Sequence, residues 1–317
     1  MGSSKDKKGL SRKGVESWLG RTALLGVARV VGAMPESAAL RLGAGLGSLG
    51  YAVSKRYRTV AIVNLTQVFG AEWDQQRIAE TAKRAFQNVG MNLVEFLRFR
   101  QMDPSHLDEI VTVEGEENAR EALSRGRGIV AVTAHYGNFE MFGAAFARKG
   151  YPLSVIARDA DDQETTELVN SLREKMGYQV FPRKNAARKA LAVLRKNGVL
   201  GVLPDQNDTD GIFVPFFGRL AATATGPAFM ALHTGAAVLP AFIHRAPNNK
   251  HVVRIFPPIE FTRTGDDEAD IRALTTRINA SLELVIRDHP EQWFWLHNRW
   301  KTRPPAELEG ACRDTGQ

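Results

Sequence analysis

The chain has 317 residues, 44% of them hydrophobic and 24% charged, enough for one large α/β core or two modest domains. Its single cysteine, Cys312 in a polar tail, excludes an internal disulfide framework and a cysteine-rich metal site. The net charge of +7 suits anionic partners (nucleic acid, an acidic carrier protein, phosphorylated lipid, an anionic bilayer) and serves simple solubility equally well.

Residues 1–14 read as a disordered basic tail carrying Lys5, Lys7, Lys8, Arg12 and Lys13. The apolar stretch that follows is broken by Arg21, Arg29 and Pro35, whereas a membrane-spanning helix needs about 20 predominantly apolar residues. The next stretch, LGAGLGSLGYAVS, is short and ends in the basic cluster Lys55, Arg56, Arg58. We expect one or two amphipathic helices lying in a membrane interface, with basic residues toward anionic head groups. A soluble helical hairpin packed on the core is the alternative, and a single pass stays open. A further helix follows from residue 75, with Ile78, Ala82, Phe86, Val89 and Leu93 at helical spacing. Residues 15–105 thus form a helical, membrane-associating region.

From residue 106 the pattern changes. Strand candidates IVTVEG, GIVAVTA, PLSVIA, QVFP, GVLGVLP, AVLPAFIH and HVVRIFPPIEF alternate with helical segments up to residue 304. The expected fold is α/β, a mixed but mainly parallel sheet flanked by helices, with a disordered tail at 305–317. In such sheets the ligand crevice lies at the carboxyl ends of the strands. Three polar groups sit just past predicted strand ends: His135, Arg158 and Asp205.

His135 opens the stretch HYGNFE, five positions before Glu140. A regular helix would turn them roughly 140° apart, and a strand would send them to opposite faces. They meet only if the chain bends, and Gly137 and Asn138 are residue types that permit a bend. His135 would then end a strand and Glu140 would open a helix. A histidine with a carboxylate on its other nitrogen suits general-base work. The spacing alone fits an ordinary strand-end histidine almost as well.

Arg158 suits a phosphate or an oxyanion, or a surface ion pair with the acidic run that follows it. Asp205 and Gln206 form a simple turn, hold a sugar, or orient the base. Lys184 and Arg188 belong to a basic helix start that fits a phosphate, a carrier protein, or plain solvent. FVPFFG reads as an exposed aromatic loop in which Phe216 and Phe217 line an acyl groove or fill the core. In EQWFWLHNRWK, core packing is the default reading of Trp293, Trp295 and Trp300. The scattered histidines give no metal site.

Together, RTVAIVNLTQVFG, GRGIVAVTAHYGNFEM, VLPDQND, FVPFFGRLAATATGPA, TGAAVLPAF and HPEQWFWLHNRWKTRP resemble the bacterial lipid A biosynthesis acyltransferases, with the phosphatidylinositol mannoside acyltransferases as relatives. The resemblance runs from about Arg58 to Pro304. It implies a glycerolipid acyltransferase-like fold and transfer of a fatty acyl chain from a thioester to a lipid hydroxyl at the cytoplasmic face of the inner membrane. It places the family's histidine and acidic residue on His135 and Glu140, its following arginine on Arg158, and its acidic–polar pair on Asp205 and Gln206. Asn138, Lys184, Arg188, Phe216 and Phe217 are expected at the substrate. Two departures are Ala157, where an aromatic residue often stands, and an amino-terminal segment less apolar than a typical span. His135 would act as base, with Glu140 orienting it, Arg158 facing an oxyanion or phosphate, and no covalent intermediate. No cofactor is expected beyond an acyl-carrier-protein or acyl-CoA thioester as co-substrate. The implied partners are acyl carrier protein, a lipid acceptor and anionic inner-membrane lipid, with no nucleic acid. A lysophospholipid or other glycolipid acyltransferase, a thioesterase and a non-catalytic lipid-binding protein remain alternatives.

Overall fold

A computed structural model describes residues 26–157, 163–182 and 186–305. The basic tail at 1–14, almost all of the tail at 305–317, Arg158 and Lys184 lie outside the described residues. Three long helices precede the sheet: α1 (Glu36–Val53), α2 (Lys55–Phe69) and α3 (Gln75–Arg98). Asp74 caps α3 by accepting from the Arg77 amide. Among the described residues no helix is long and apolar enough to cross a membrane. Helix α1 lies against α3 at very short range. A Cβ on Gly47 would stand 2.2 Å from the Phe86 carbonyl oxygen, and one on Gly90 would stand 2.1 Å from that of Gly43. Only glycine allows this approach of the two backbones.

The α/β core carries strands β1 (Val111–Glu114), β2 (Ile129–Val132), β3 (Leu153–Ala157), β4 (Gln179–Pro182), β5 (Val199–Val202), β8 (Ala237–Arg245) and β9 (His251–Ile255) in the sheet order β1-β9-β8-β2-β5-β3-β4. All neighbours are parallel except β8 and β9, so the sheet is mixed and mainly parallel, as the sequence pattern indicates. Between the strands run α4 (Glu116–Ser124), α5 (Phe139–Arg148), α6 (Gln163–Lys175), α7 (Ala186–Arg195) and α8 (Gly226–Thr234), and α9 (Asp267–Asp288) follows β9.

The period-2 geometry of a strand sends alternate residues to opposite faces. Accordingly Val130 and Val132 of β2 enter one core with α2, α7, α8, α9 and the three tryptophans. Ile129 and Ala131 enter the other, with α4, α5, α6 and Phe96 and Phe99 at the end of α3. Burial on both faces explains why these strands read as continuous apolar runs.

One segment departs from expectation. FVPFFG is no exposed loop; it supplies most of the first strand and the turn of a hairpin, β6 (Ile212–Phe216) paired antiparallel with β7 (Arg219–Thr223). Phe217 and Gly218 make its two-residue turn, both at positive φ (51° and 71°), the geometry that matches strand twist. Phe216 and Phe217 are buried, at 0% and 9% exposure. Phe216 packs edge-on to Trp293 and under the Arg299 guanidinium. Phe217 packs on Phe69. The default reading of the tryptophans holds: Trp293, Trp295 and Trp300 are all buried.

Candidate active site

Strands β2 and β5 are parallel neighbours, so the segments that leave their carboxyl ends run side by side. His135 leaves β2 and Asp205 leaves β5. The bend after His135 occurs at Gly137, at φ 54°. A Cβ there would stand 1.9 Å from the Ile243 carbonyl oxygen, so the position is closed to other residues on steric grounds as well. Asn138 ends the bend at negative φ and caps α5, accepting from the Met141 amide. Glu140 stands in the first turn of α5.

The carboxylate on the imidazole comes from Asp205. Its Oδ1 lies 2.8 Å from His135 Nδ1, and its Oδ2 accepts from the His135 amide at 2.8 Å and from Trp293 Nε1 at 2.9 Å. Burial opposes the charged form of Asp205, but the charge and hydrogen bond of His135, with the Trp293 and amide bonds, hold its carboxyl below the usual range. Burial likewise opposes protonation of His135. The charge and hydrogen bond of Asp205, with a contribution from Glu140, outweigh it and raise the imidazole pKa. In the neutral imidazole, an ionised Asp205 on Nδ1 fixes the tautomer that leaves Nε2 without a proton. Gln206 Nε2 lies 3.3 Å from that nitrogen, and the Phe139 ring stands edge-on to the imidazole.

Glu140 is engaged elsewhere. Its Oε2 accepts from Arg173 Nε at 3.0 Å and from the Tyr178 hydroxyl at 2.7 Å, and its Oε1 accepts from Arg173 Nη2 at 2.5 Å. Burial and the neighbouring Glu140 charge push the Tyr178 phenol well above its usual pKa, so it remains a donor. The expectation that Glu140 orients His135 is therefore corrected: Asp205 is the orienting carboxylate. Glu140 contributes its charge from the next position and organises Arg173. Neither Arg173 nor Tyr178 stands out in the sequence. One ends a polar helix and the other precedes a short strand, and only the packing of α5 on α6 joins them.

Two cavities meet at the imidazole. The first, about 350 Å³, is mainly apolar and lies between α3 and the His135 bend, lined by Val89, Leu93, Phe96, Phe139 and Phe294. The second, about 530 Å³, is more polar and reaches Arg173, Asn207, Asp208 and His297. His135, Glu140 and Gln206 line both. Asn138 is 1% exposed and acts as a helix cap beside the first. Arg188 is exposed on α7 and lines neither cavity. Phe216 and Phe217 also line neither, and core packing accounts for both. No cluster of three or more potential ligands for a metal occurs among the described residues.

Residues 6–302 match the family model described as bacterial lipid A biosynthesis acyltransferase. The chain belongs to that family. It is accordingly an O-acyltransferase. Among its relatives, the lipid A biosynthesis lauroyltransferase of Escherichia coli K12 is 30% identical over 91% of this chain and 92% of its own length. The lipid A biosynthesis palmitoleoyltransferase of the same organism is 27% identical over 92% of each chain. A phosphatidylinositol mannoside acyltransferase of Mycolicibacterium smegmatis is 28% identical over 65% of this chain and 67% of its own. The acyltransferase fold thus places a histidine–aspartate pair where two chambers converge.

Proposed function

We propose that this acyltransferase moves a fatty acyl chain from an acyl-carrier-protein thioester to a hydroxyl of a lipid A precursor or related glycolipid. The observation that carries the reading is His135, bonded through Nδ1 to Asp205 and lining both the apolar and the polar chamber. The acyl chain occupies the apolar chamber and the acceptor head group the polar one. His135 Nε2 takes the proton of the acceptor hydroxyl, and the alkoxide oxygen forms a bond to the thioester carbonyl carbon. Asp205 stabilises the imidazolium. The amides of Phe139 and Glu140, first-turn donors with no intrahelical acceptor, face the tetrahedral oxyanion at the positive end of α5. The carbon–sulfur bond then breaks, the thiolate takes the proton from Nε2, and the ester and free thiol leave. Only a proton and an acyl group move, so no metal or redox cofactor is required.

Charge supports an acidic donor: the net charge is +7, and Arg188 and Lys189 are exposed on α7. Arg158 remains assigned to an oxyanion or phosphate, and Lys184 to a phosphate or carrier contact. A membrane face is supported by α1, where Leu42, Leu46, Leu49 and Val53 recur at spacings of four, three and four and are all exposed. The Ser48 hydroxyl accepts from Gln87 on one flank of the α1–α3 contact. Helical geometry puts the leucine stripe on the other flank, beside exposed Leu93, which lines the apolar chamber. Lys55 and Arg56, which open α2 just past the end of α1, suit anionic head groups.

The test uses purified protein, labelled acyl carrier protein and three conditions: a lipid A precursor, a lysophospholipid, and no acceptor. Transfer to the precursor should fall by about 10²–10⁴ in His135→Ala. Transfer to the lysophospholipid alone would overturn the acceptor, and release without acceptor would overturn the transferase reading in favour of hydrolysis.

A further inference from the structure

Behind the His135 bend lies a buried ionic cluster that the proposed chemistry does not use. Glu95 of α3, Arg245 at the end of β8 and His251 at the start of β9 are 4%, 8% and 1% exposed. Arg245 grips Glu95 with both terminal nitrogens, at 2.7 and 2.6 Å. His251 Nε2 lies 3.0 Å from Glu95 Oε1. The third partner of Glu95 is Asn138, whose amide donates to Oε2 at 2.7 Å while its side-chain carbonyl oxygen caps α5. Arg245 also donates to Asn92, and the Asn92 amide donates to the Gly137 carbonyl at 2.6 Å. Gln292 bonds the Arg245 backbone in both directions, and its own carbonyl accepts the Gly137 amide.

Apart from the helix-cap bonds of Asn138 to the Met141 and Phe142 amides, the polar groups that hold residues 137 and 138 trace back to this cluster. A bend that needs positive φ and carries the base is tied to charge-assisted bonds, directly at Asn138 to Glu95 and at one remove through Arg245 to Asn92. These are shorter and stronger than neutral ones. Burial opposes the Glu95 charge, yet His251 and Arg245 bring its pKa down to about 2, so this carboxylate stays ionised across the working range.

We propose that Glu95 is a positioning residue: through Asn138 directly, and through Arg245 and Asn92, it fixes the 137–138 bend and so sets His135 against Asp205. It touches neither chamber. A purely structural ion pair would connect α3 to β8 and β9 with no consequence for the imidazole. A positioning cluster makes the imidazole's titration depend on it.

The test is Glu95→Gln in the full chain, with His135→Ala alongside because the inference rests on His135 as the base. Two readouts are taken on protein that melts cooperatively above the assay temperature: kcat against KM for both substrates, and His135 titration by NMR. Asp205, Glu140, His297 and, through Glu140, Arg173 are the charged or titratable groups facing the imidazole, and none is altered. The expected result is a loss in kcat on the order of 10² with little change in either KM, and a His135 titration moved to lower pH as its contact with Asp205 loosens. An unchanged titration with wild-type kcat overturns the inference. Should Glu95→Gln fail to fold because Arg245 is left unpaired, Glu95→Met with Arg245→Met removes both charges. Slow turnover and a shifted titration in that stable double variant support positioning; wild-type values overturn it. Activity retained by His135→Ala would sink the base assignment, and the NMR titration would still decide whether Glu95 positions the imidazole.

Discussion

Replacing Asp205 with Asn keeps the shape of the side chain and removes its charge, while Glu140→Gln does the same to the carboxylate five residues after His135. The two variants separate the geometry seen here from the arrangement suggested by spacing. Asp205 is fully buried against the imidazole, with 2.8 Å between Nδ1 and Oδ1. A charge separation of about 4 Å at an effective dielectric constant near 20 is worth about 4 kcal/mol. That is the stabilisation lost when the imidazolium forms in Asp205→Asn, and at 1.36 kcal/mol per decade it predicts a fall in kcat of about 10³. The pH profile carries a second signature. The neutral imidazole is the active form, and Asp205 raises its pKa against the opposing effect of burial. Without that charge burial dominates, so the acid limb of kcat/KM moves to lower pH. In Glu140→Gln the orienting contact survives. The rate falls through a loosened Arg173, and the acid limb moves only slightly. Steady-state transfer assays from pH 5 to 9 on both variants decide the matter. If Glu140→Gln displaces the acid limb further than Asp205→Asn, the assignment of Asp205 as the orienting carboxylate is wrong.

Gly137→Ala forces a methyl group into left-handed backbone against the Ile243 carbonyl. It should destabilise by roughly 3 kcal/mol or more, read by chemical denaturation. Phe216→Ala should lower stability by about 3–5 kcal/mol while leaving KM for the acyl donor unchanged, since the ring lines neither chamber; a raised donor KM with intact stability would restore the acyl-groove reading. Leu46→Glu combined with Leu49→Glu should leave the melting temperature within a few degrees of wild type and reduce co-sedimentation with anionic vesicles, because both side chains are exposed. Undiminished vesicle binding would remove α1 from the membrane face.

The alternation of apolar runs and helical segments was enough to read the sheet, because its central strands β2, β5 and β8 are buried on both faces and bounded by glycine and proline. The bend at Gly137 was legible for the same local reason. What spacing could not reveal is which carboxylate meets the histidine. Asp205 lies 70 residues on, and its approach depends on β5 pairing beside β2, a tertiary fact. Glu140, close in sequence, is drawn away by Arg173 and Tyr178, which only the packing of α5 on α6 supplies. The β6–β7 hairpin was missed because Pro215 argues against a strand and Phe217 is an unusual residue for a positive-φ turn. Pro215 is tolerated because this ladder has only two strands and thus two edges. Phe217 is compensated by burial and by its amide bond to Glu283.

The glycine contact between α1 and α3 has a mechanical consequence. With backbone against backbone at Gly43, Gly47 and Gly90, no side chain remains to slide or repack at the centre of the contact between the two helices. Helix α1 and the α3 wall of the apolar chamber therefore move as one lever. Any tilt imposed on the exposed flank of α1 is delivered to Leu93 at the chamber and to its α3 neighbours Asn92 and Glu95, which grip the bend beneath the base.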